Sequence, residues 1–273
     1  MKSSKPLVMG ILNVTPDSFS DGGRFLSLSA ALTQARLLSI DGADIIDVGG
    51  ESTRPGAESV SLQEEQDRVL PVIEAIRKES SITLSIDTTK YEVAKAAIEL
   101  GATIINDVSC GQDIRFLSLL EKNIETKIIL MHRKGEPKTM QENPSYNLGV
   151  VSEVKAMLSA KVAMFTEAGI SKSRIWIDPG IGFGKTLNHN LDLLRHLKTL
   201  IEVGGNIVIG TSRKTFLAAL LKEEKHTVDQ REAGTLSSHL WAYQAGAGVF
   251  RVHDVLAMKR ALTTWDAISY GCI

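Results

Sequence analysis

Four polar residues with complementary chemistry stand at or shortly after the ends of short apolar runs, although they lie far apart in the sequence. They are Asp87, Asn106, Asp178 and Lys214. If they converge, the two carboxylates can accept paired N–H bonds from an amidine-like edge, and the amide and ammonium can serve a ring carbonyl. That combination suits a flat heterocycle. A structural salt-bridge network is the competing interpretation.

A second set of residues is cationic and indicates an anion site. Arg251 and His253 flank Val252, and alternate residues of a strand face the same side. Together with Arg54 and the nearby Lys214 they form a set that suits a diphosphate. For His253 alone, a structural histidine is the competing interpretation.

One residue is a candidate magnesium ligand. Asn13 ends the first apolar run, and its side-chain carbonyl oxygen is a hard ligand. Magnesium that arrives on a diphosphate needs few protein ligands. A turn-forming asparagine before Thr15 and Pro16 is the alternative. Zinc is not expected, because His132 has no second histidine or cysteine at ligand spacing.

The stretch Ile181-Gly182-Phe183-Gly184-Lys185 imitates part of a phosphate-binding loop. It lacks the GxxxxGK[ST] spacing, so we interpret it as a turn near the pocket with Phe183 as an aromatic wall. No nucleophile elbow is present, and no GxGxxG motif follows the first apolar run.

Eight short apolar runs must position these residues, and each ends at a polar residue or at a glycine turn. Between them lie segments with apolar residues at helical spacing. Strand and helix alternating eight times predict a parallel sheet, and 273 residues suit one α/β domain, 1–273, folded as a closed (β/α)8 TIM barrel. In such a barrel all the polar strand ends share one mouth. A doubly wound open sheet is the rival architecture.

Helices are predicted at 28–41, 61–78, 89–100, 115–122, 151–168, 191–203, 232–245 and 254–269. Ser61 and Glu64 have the spacing of a helix-capping box. Loops 13–25, 49–59 and 133–148 are longer than the scaffold requires. Because they follow strand ends, we interpret them as candidate lids over the mouth.

The composition excludes several classes of protein. With 31 basic and 32 acidic residues, the net charge of -1 attracts neither nucleic acid nor an anionic membrane. Two cysteines cannot build a disulfide framework. No signal peptide is evident at the start of the chain, and the first apolar run is too short to span a bilayer. We therefore expect a soluble cytoplasmic protein.

Two long stretches resemble signatures of the dihydropteroate synthase family. Residues 9–23 read MGILNVTPDSFSDGG, and residues 46–56 read IDVGGESTRPG. Shorter pieces that fit in order lie at 85–88, 105–107, 178–185, 211–214 and 251–254. The resemblance covers almost the whole chain and implies a pterin-binding (β/α) barrel enzyme of folate synthesis.

The resemblance implies a transferase that joins 4-aminobenzoate to a dihydropterin-methyl diphosphate, giving dihydropteroate and releasing diphosphate. It also implies Mg²⁺ on Asn13, a homodimer, and a 4-aminobenzoate site of the kind that sulfonamides occupy. Catalysis would fall to Asp87, Asp178, Lys214, Arg251 and His253. The pterin would contact Asp87, Asn106, Asp178 and Lys214, with Met131 and Phe183 beside it. The diphosphate region would contact Thr53, Arg54, Arg251 and His253, and 4-aminobenzoate would contact Phe19, Pro55, Ser212 and Lys214.

Two stretches depart from the pattern of the family. Residues 132–135, HRKG, are more basic than expected, and residues 108–111, VSCG, are a variant. A pterin-binding methyltransferase domain and a non-catalytic pterin-binding paralogue are the alternatives. Arg54, Arg251 and His253 argue against the methyltransferase, which needs no diphosphate site. The presence of all the pocket residues argues against the paralogue.

Overall fold

The computed structural model of the chain describes residues 5–15, 23–52, 58–136, 138–221 and 231–271. Within them, eight parallel strands close into a barrel in sequence order, with the first strand paired to the last. The predicted TIM barrel is confirmed and the open doubly wound sheet is wrong. The strands are β1 (Leu7–Asn13), β2 (Ile45–Gly49), β3 (Thr83–Asp87), β4 (Ile104–Asp107), β5 (Lys127–Met131), β6 (Ile175–Asp178), β7 (Asn206–Ile209) and β8 (Val249–Val252).

Helices alternate with the strands and cover the outside of the barrel. They are α1 (Gly23–Ile40), α2 (Leu62–Glu79), α3 (Tyr91–Glu99), α4 (Arg115–Lys122), α5 (Val150–Glu167), α6 (Leu187–Arg195), α7 (Thr215–Leu221), α8 (Glu232–Ala245) and α9 (Val255–Tyr270). The predicted capping box at the start of α2 is half formed: Ser61 Oγ accepts from Glu64 N at 3.2 Å, whereas the Glu64 carboxylate accepts from Arg68. No helix in the described part of the chain is both long and apolar enough to cross a membrane.

Two helices differ from the sequence-based prediction. The predicted segment 191–203 is divided between α6 and a 3₁₀ turn at Leu197–Leu200. Helix α6 starts earlier because Thr186 and His189 form a capping box, and a histidine at that position lies outside the usual Glu or Gln signature. Helix α7 was not predicted, because two turns of helix are too short to show a helical period.

The inside of the barrel is filled in two levels. Side chains of a strand alternate, so every second residue faces the barrel axis. The lower level is an apolar plug of buried residues from seven strands, and burial stabilises each such side chain by about 1.5–3 kcal/mol. The plug consists of Met9, Ile45, Ile104, Ile129, Trp176, Val208 and Val249.

Two residues further along β2, β4, β6 and β8, the inward positions become polar. Asp47 follows Ile45, Asn106 follows Ile104, and Arg251 follows Val249 in this way. The apolar plug is therefore the floor of a polar chamber that faces the carboxyl ends of the strands.

Candidate active site

Strand register places four of the strand-end residues in one row. Asn13 pairs with Gly49, Gly49 with Asp87, and Asp87 with Asn106, across β1 to β4. On the next pair of strands, Met131 of β5 stands beside Asp178 of β6. The residues predicted to bind the pterin from β3 to β6 therefore share one rim of the barrel.

Arg251 crosses the chamber from β8 and binds two carboxylates. Its Nε donates to Asp47 Oδ2 at 2.6 Å, and its Nη2 donates to Asp87 Oδ2 at 2.7 Å. Asn106 Nδ2 also donates to Asp47 Oδ2, at 3.0 Å. We predicted Arg251 for the diphosphate region. In the structure its guanidinium lies against the carboxylates at the centre of the site.

Asp47 is the residue of this centre that sequence reasoning missed. It is 0% exposed and contacts both Arg251 and Asn106. The available signal was a single charged residue inside the otherwise apolar run of β2. A lone charge that is buried in a strand needs a partner of opposite charge, so it indicates a polar chamber.

Two carboxylate oxygens of this centre have no hydrogen-bond partner among the residues that the structure describes. They are Asp47 Oδ1 and Asp87 Oδ1, and both atoms are buried. Buried acceptors normally find a donor, so the chamber has unused capacity for N–H groups. Burial raises the pKa of the Asp87 carboxyl to about 7, against the opposing effect of Arg251. Burial also raises the pKa of Asp178, which Lys214 opposes.

Lys214 reaches the site from the loop after β7. Its Nζ donates to the carbonyl oxygen of Ile181 and lies 4.4 Å from the centre of the Phe183 ring. Burial lowers the pKa of the Lys214 ammonium to about 8, and the charge of Asp178 acts in the opposite direction. Phe183 therefore lies beside Lys214, the lysine predicted to bind the pterin, where the sequence predicted an aromatic wall.

Arg231, which precedes α8, and Thr235 of α8 bind the backbone of this loop. Arg231 Nη1 donates to the carbonyl oxygen of Arg213 at 2.9 Å, and Arg213 N donates to Thr235 Oγ1 at 3.3 Å. Arg213 has a φ of +60°, a left-handed conformation that is costly for a residue with a side chain. The contacts from α8 therefore stabilise the bend that turns Lys214 toward Asp178.

Ser212 and His253 form a pair at the mouth. Ser212 Oγ lies 3.0 Å from His253 Nδ1, and the backbone N–H of His253 donates to Ser212 Oγ at 3.3 Å. The loop after β7 and the end of β8 are thereby joined at the place predicted for 4-aminobenzoate and diphosphate. Four other predicted site residues lie outside the described residues: Phe19, Thr53, Arg54 and Pro55.

The described residues offer no cluster of three or more His, Cys, Asp or Glu side chains suited to a metal ion. Asn13 stands partly exposed at the rim, where its amide oxygen is a single hard ligand. This arrangement fits an ion that is brought by a phosphate group and completed by water. It does not fit a cage built by the protein, so the role of Asn13 stays a prediction.

Comparisons with known proteins agree with the geometry of this site. Residues 9–253 match the family of pterin binding enzymes. The dihydropteroate synthase of Synechocystis is 44% identical over 261 residues, which are 96% of this chain and 89% of that protein.

Two solved structures are similar over nearly their whole length. The Yersinia pestis dihydropteroate synthase in complex with a sulfonamide drug has a TM-score of 0.89 and 41% identity, covering 97% of this chain and 94% of that chain. The Xanthomonas albilineans dihydropteroate synthase with 4-aminobenzoic acid has a TM-score of 0.89 and 42% identity, covering 98% and 94%. The chain belongs to the pterin-binding enzymes and, among them, to the dihydropteroate synthases, which are transferases.

Proposed function

We propose that the protein condenses (7,8-dihydropterin-6-yl)methyl diphosphate with 4-aminobenzoate, giving 7,8-dihydropteroate and diphosphate. The observation that carries the proposal is the pair of buried oxygens Asp47 Oδ1 and Asp87 Oδ1, which lie above an apolar floor and have no hydrogen-bond partner within the described ranges. A flat ring with several N–H groups supplies the donors that these acceptors lack. The related Xanthomonas albilineans enzyme, crystallised with 4-aminobenzoic acid, supports the second substrate.

The pterin is held by donors and acceptors on opposite sides of the chamber. Asp87 and Asp178 accept N–H bonds from the amino-pyrimidine edge, and Asn106 and Lys214 bind the ring carbonyl and ring nitrogens. Met131 and Phe183 supply apolar contacts. The charge of Arg251 favours the ionised form of Asp87 against the effect of its burial, and it is the ionised carboxylate that accepts both bonds.

The reaction is a displacement at the methylene carbon of the pterin. The bond between this carbon and the diphosphate oxygen breaks, and its electron pair leaves with the diphosphate. The positive charge that develops on the pterin is stabilised by Asp87 and Asp178. The amine of 4-aminobenzoate then forms the C–N bond and releases one proton.

The departing diphosphate faces the cationic end of the site. His253 at the end of β8 lies on this side, and Thr53 and Arg54 are assigned to it from the sequence. Arg251 adds its charge from the centre of the site, where its guanidinium binds Asp47 and Asp87. Magnesium, with Asn13 among its ligands, would neutralise part of the charge on the leaving group. The protein needs no nucleophile of its own for this chemistry, and its task is to hold the two substrates in line.

A diphosphate-release assay tests the proposal. We expect release only when both substrates are present, and a lower rate when magnesium is removed by a chelator. No release with both substrates would refute the synthase function. Release from the pterin substrate alone at the same rate would indicate a hydrolase. Methyl transfer from a methylated pterin, without any diphosphate release, would favour the methyltransferase alternative.

We infer that the enzyme forms a homodimer through α8 and α9. These helices border a shallow groove of 480 Å³ lined by Leu236, Leu240, Ala261, Trp265 and Ile268, among others. Ile268 is 80% exposed, and an exposed apolar groove of this kind marks protein interfaces. Sedimentation velocity should give a dimer that Ile268→Glu converts to a monomer. A wild-type monomer at micromolar concentration would refute the proposal.

We also infer a cytoplasmic location. Cys110 is a buried free thiol, and reduced thiols persist in the cytosol. Fractionation of cells that produce the protein should recover it with cytosolic markers. Recovery with the membrane or secreted fraction would contradict this location.

A further inference from the structure

Lys185 is a buried cation that forms no salt bridge in the described part of the chain, although the charge of Asp178 acts on it at longer range. It is 3% exposed, and its Nζ lies 2.9 Å from the carbonyl oxygen of Phe183 and 3.0 Å from His132 Nδ1. Burial lowers the pKa of the Lys185 ammonium to about 7, with the charge of Lys214 adding to the effect. Placing an ammonium among neutral partners costs free energy, so its position calls for a function.

The neutral partners belong to two neighbouring loops. His132 follows β5, and its N–H donates to the carbonyl oxygen of Asp178 at 2.9 Å. Burial lowers the pKa of the His132 imidazole to about 3, so the ring is neutral and its Nδ1 accepts from the amine of Lys185. Lys185 itself ends the turn 180–184 that follows β6. Its side chain therefore links the end of β5 to the turn that follows β6.

The two loops touch through their backbones. A Cβ atom on Gly180 would lie 1.8 Å from the carbonyl oxygen of His132, and one on Gly184 would lie 2.1 Å from the carbonyl oxygen of Lys134. Tyr146 OH adds a hydrogen bond to the carbonyl oxygen of Gly184 at 2.9 Å. The turn 180–184 therefore packs against the loop after β5, and the side chain of Lys185 lies between the two.

The other side of the same turn supports Lys214. The ammonium of Lys214 donates to the carbonyl oxygen of Ile181 and lies over the ring of Phe183. A Cβ atom on Gly182 would be only 3.0 Å from Lys214 Cδ. Three consecutive residues of the turn therefore contact the pterin-binding lysine, and a shift of the turn moves that lysine.

We propose that Lys185 is a positioning residue for the pterin substrate: it fastens the turn 180–184 to the end of β5 and so fixes Lys214 against the pterin pocket. The proposal rests on the function proposed above. It assigns to Lys185 no contact with the substrate and no proton transfer. Its expected signature is a selective loss of pterin affinity.

The test is calorimetric titration of folded variants with (7,8-dihydropterin-6-yl)methyl diphosphate, without 4-aminobenzoate. Lys185→Met keeps the bulk of the side chain but removes its donors, and should raise the Kd by about tenfold or more. Lys185→Gln is too short to bridge both partners and should give an intermediate loss. The KM for 4-aminobenzoate, measured at saturating pterin substrate, should rise by a smaller factor than the Kd, because Phe19, Pro55 and Ser212 are assigned to that substrate beside Lys214.

Lys172→Met is the matched control. Lys172 also donates to a backbone carbonyl, that of Glu202, but it is exposed and lies before β6, at the opposite end of the barrel. It should bind the pterin substrate as the wild type does. If Lys185→Met does not fold, as judged by circular dichroism, Lys185→Gln decides the matter in its place.

Three outcomes overturn the role of Lys185. They are an unchanged Kd in the folded variant, an equal loss for both substrates, and an equal loss in the control. A wild-type protein that neither binds the pterin substrate nor releases diphosphate would overturn the proposed function and the role of Lys185 with it. A wild type that does both, beside a Lys185 variant that binds equally well, overturns the role of Lys185 alone.

Discussion

Arg251 and Asp47 form an ion pair at the centre of the chamber, 2.6 Å from Nε to Oδ2, in which the aspartate is 0% exposed. The pair joins β8 to β2 and fixes the guanidinium so that its second nitrogen reaches Asp87. The carboxylate predicted to bind the pterin is therefore held by a residue that is itself held by Asp47.

Asp47→Asn should lower kcat/KM for the pterin substrate by about a hundredfold, because the neutral amide no longer balances the charge of Arg251 and the guanidinium loses its fixed position against Asp87. Steady-state kinetics with both substrates gives the value. Asp44→Asn is the control: Asp44 pairs with Lys259 before the start of β2, away from the chamber, and its loss should leave kcat/KM near wild type. Equal effects of the two variants would argue against Asp47.

Lys214→Ala should weaken pterin binding and turnover together. The variant removes the ammonium near Asp178 and leaves that buried carboxylate without the charge that opposes its protonation. A loss of about 2–4 kcal/mol in kcat/KM is expected. Calorimetric titration and initial rates measure the two effects separately. Kinetics equal to those of the wild type would contradict the assigned role.

The pH dependence of kcat/KM should be bell-shaped. Asp87 must be ionised to accept pterin N–H bonds, and its pKa is raised to about 7, so activity falls as the pH drops through 7. Lys214 must be protonated to donate, and its pKa is lowered to about 8, so activity falls as the pH rises through 8. The two limbs report the titration of the coupled cluster.

Lys214→Arg separates the limbs of this profile, because a guanidinium stays protonated throughout the range. The acid limb should remain, and the alkaline limb should disappear even if the maximal rate is lower. A flat wild-type profile from pH 6 to 9, or an alkaline limb retained in this variant, would count against the assignment.

Gly180→Ala should be strongly destabilising and should abolish pterin binding. Gly180 has a φ of +67°, and a Cβ there would overlap the carbonyl oxygen of His132. The strained backbone alone costs about 1 kcal/mol, and the overlap adds about 1–3 kcal/mol more. Gly169→Ala is the control, since its φ is +87° and nothing lies within 4 Å of the added atom. Urea denaturation compares the two variants, and equal losses would contradict the overlap.

The sequence predicts the barrel well, because strand length, apolar character and polar ends agree with one another at each strand. It predicts the row of Asn13, Asp87 and Asn106 for the same reason, since parallel strands bring their ends to one edge. These inferences need only local patterns repeated along the chain.

Asp47 and Lys185 were missed for a different reason. Each acquires its importance from partners in other elements: Arg251 is 204 positions away along the chain from Asp47, and His132 is 53 away from Lys185. No local period encodes such contacts. A charge within an apolar strand was the available signal for Asp47. Lys185 offered no such signal, because the position of the turn 180–184 depends on contacts between two loops that are separate in the sequence.

The apolar plug under the chamber has a consequence for the order of events. Seven side chains from β1, β2 and β4 to β8 fill the lower half of the barrel. Substrates and products therefore enter and leave at the carboxyl ends of the strands. The ring that occupies the deepest position must arrive before the aryl amine covers it. The product must leave past the same rim residues, so the next pterin substrate cannot bind until the product has left.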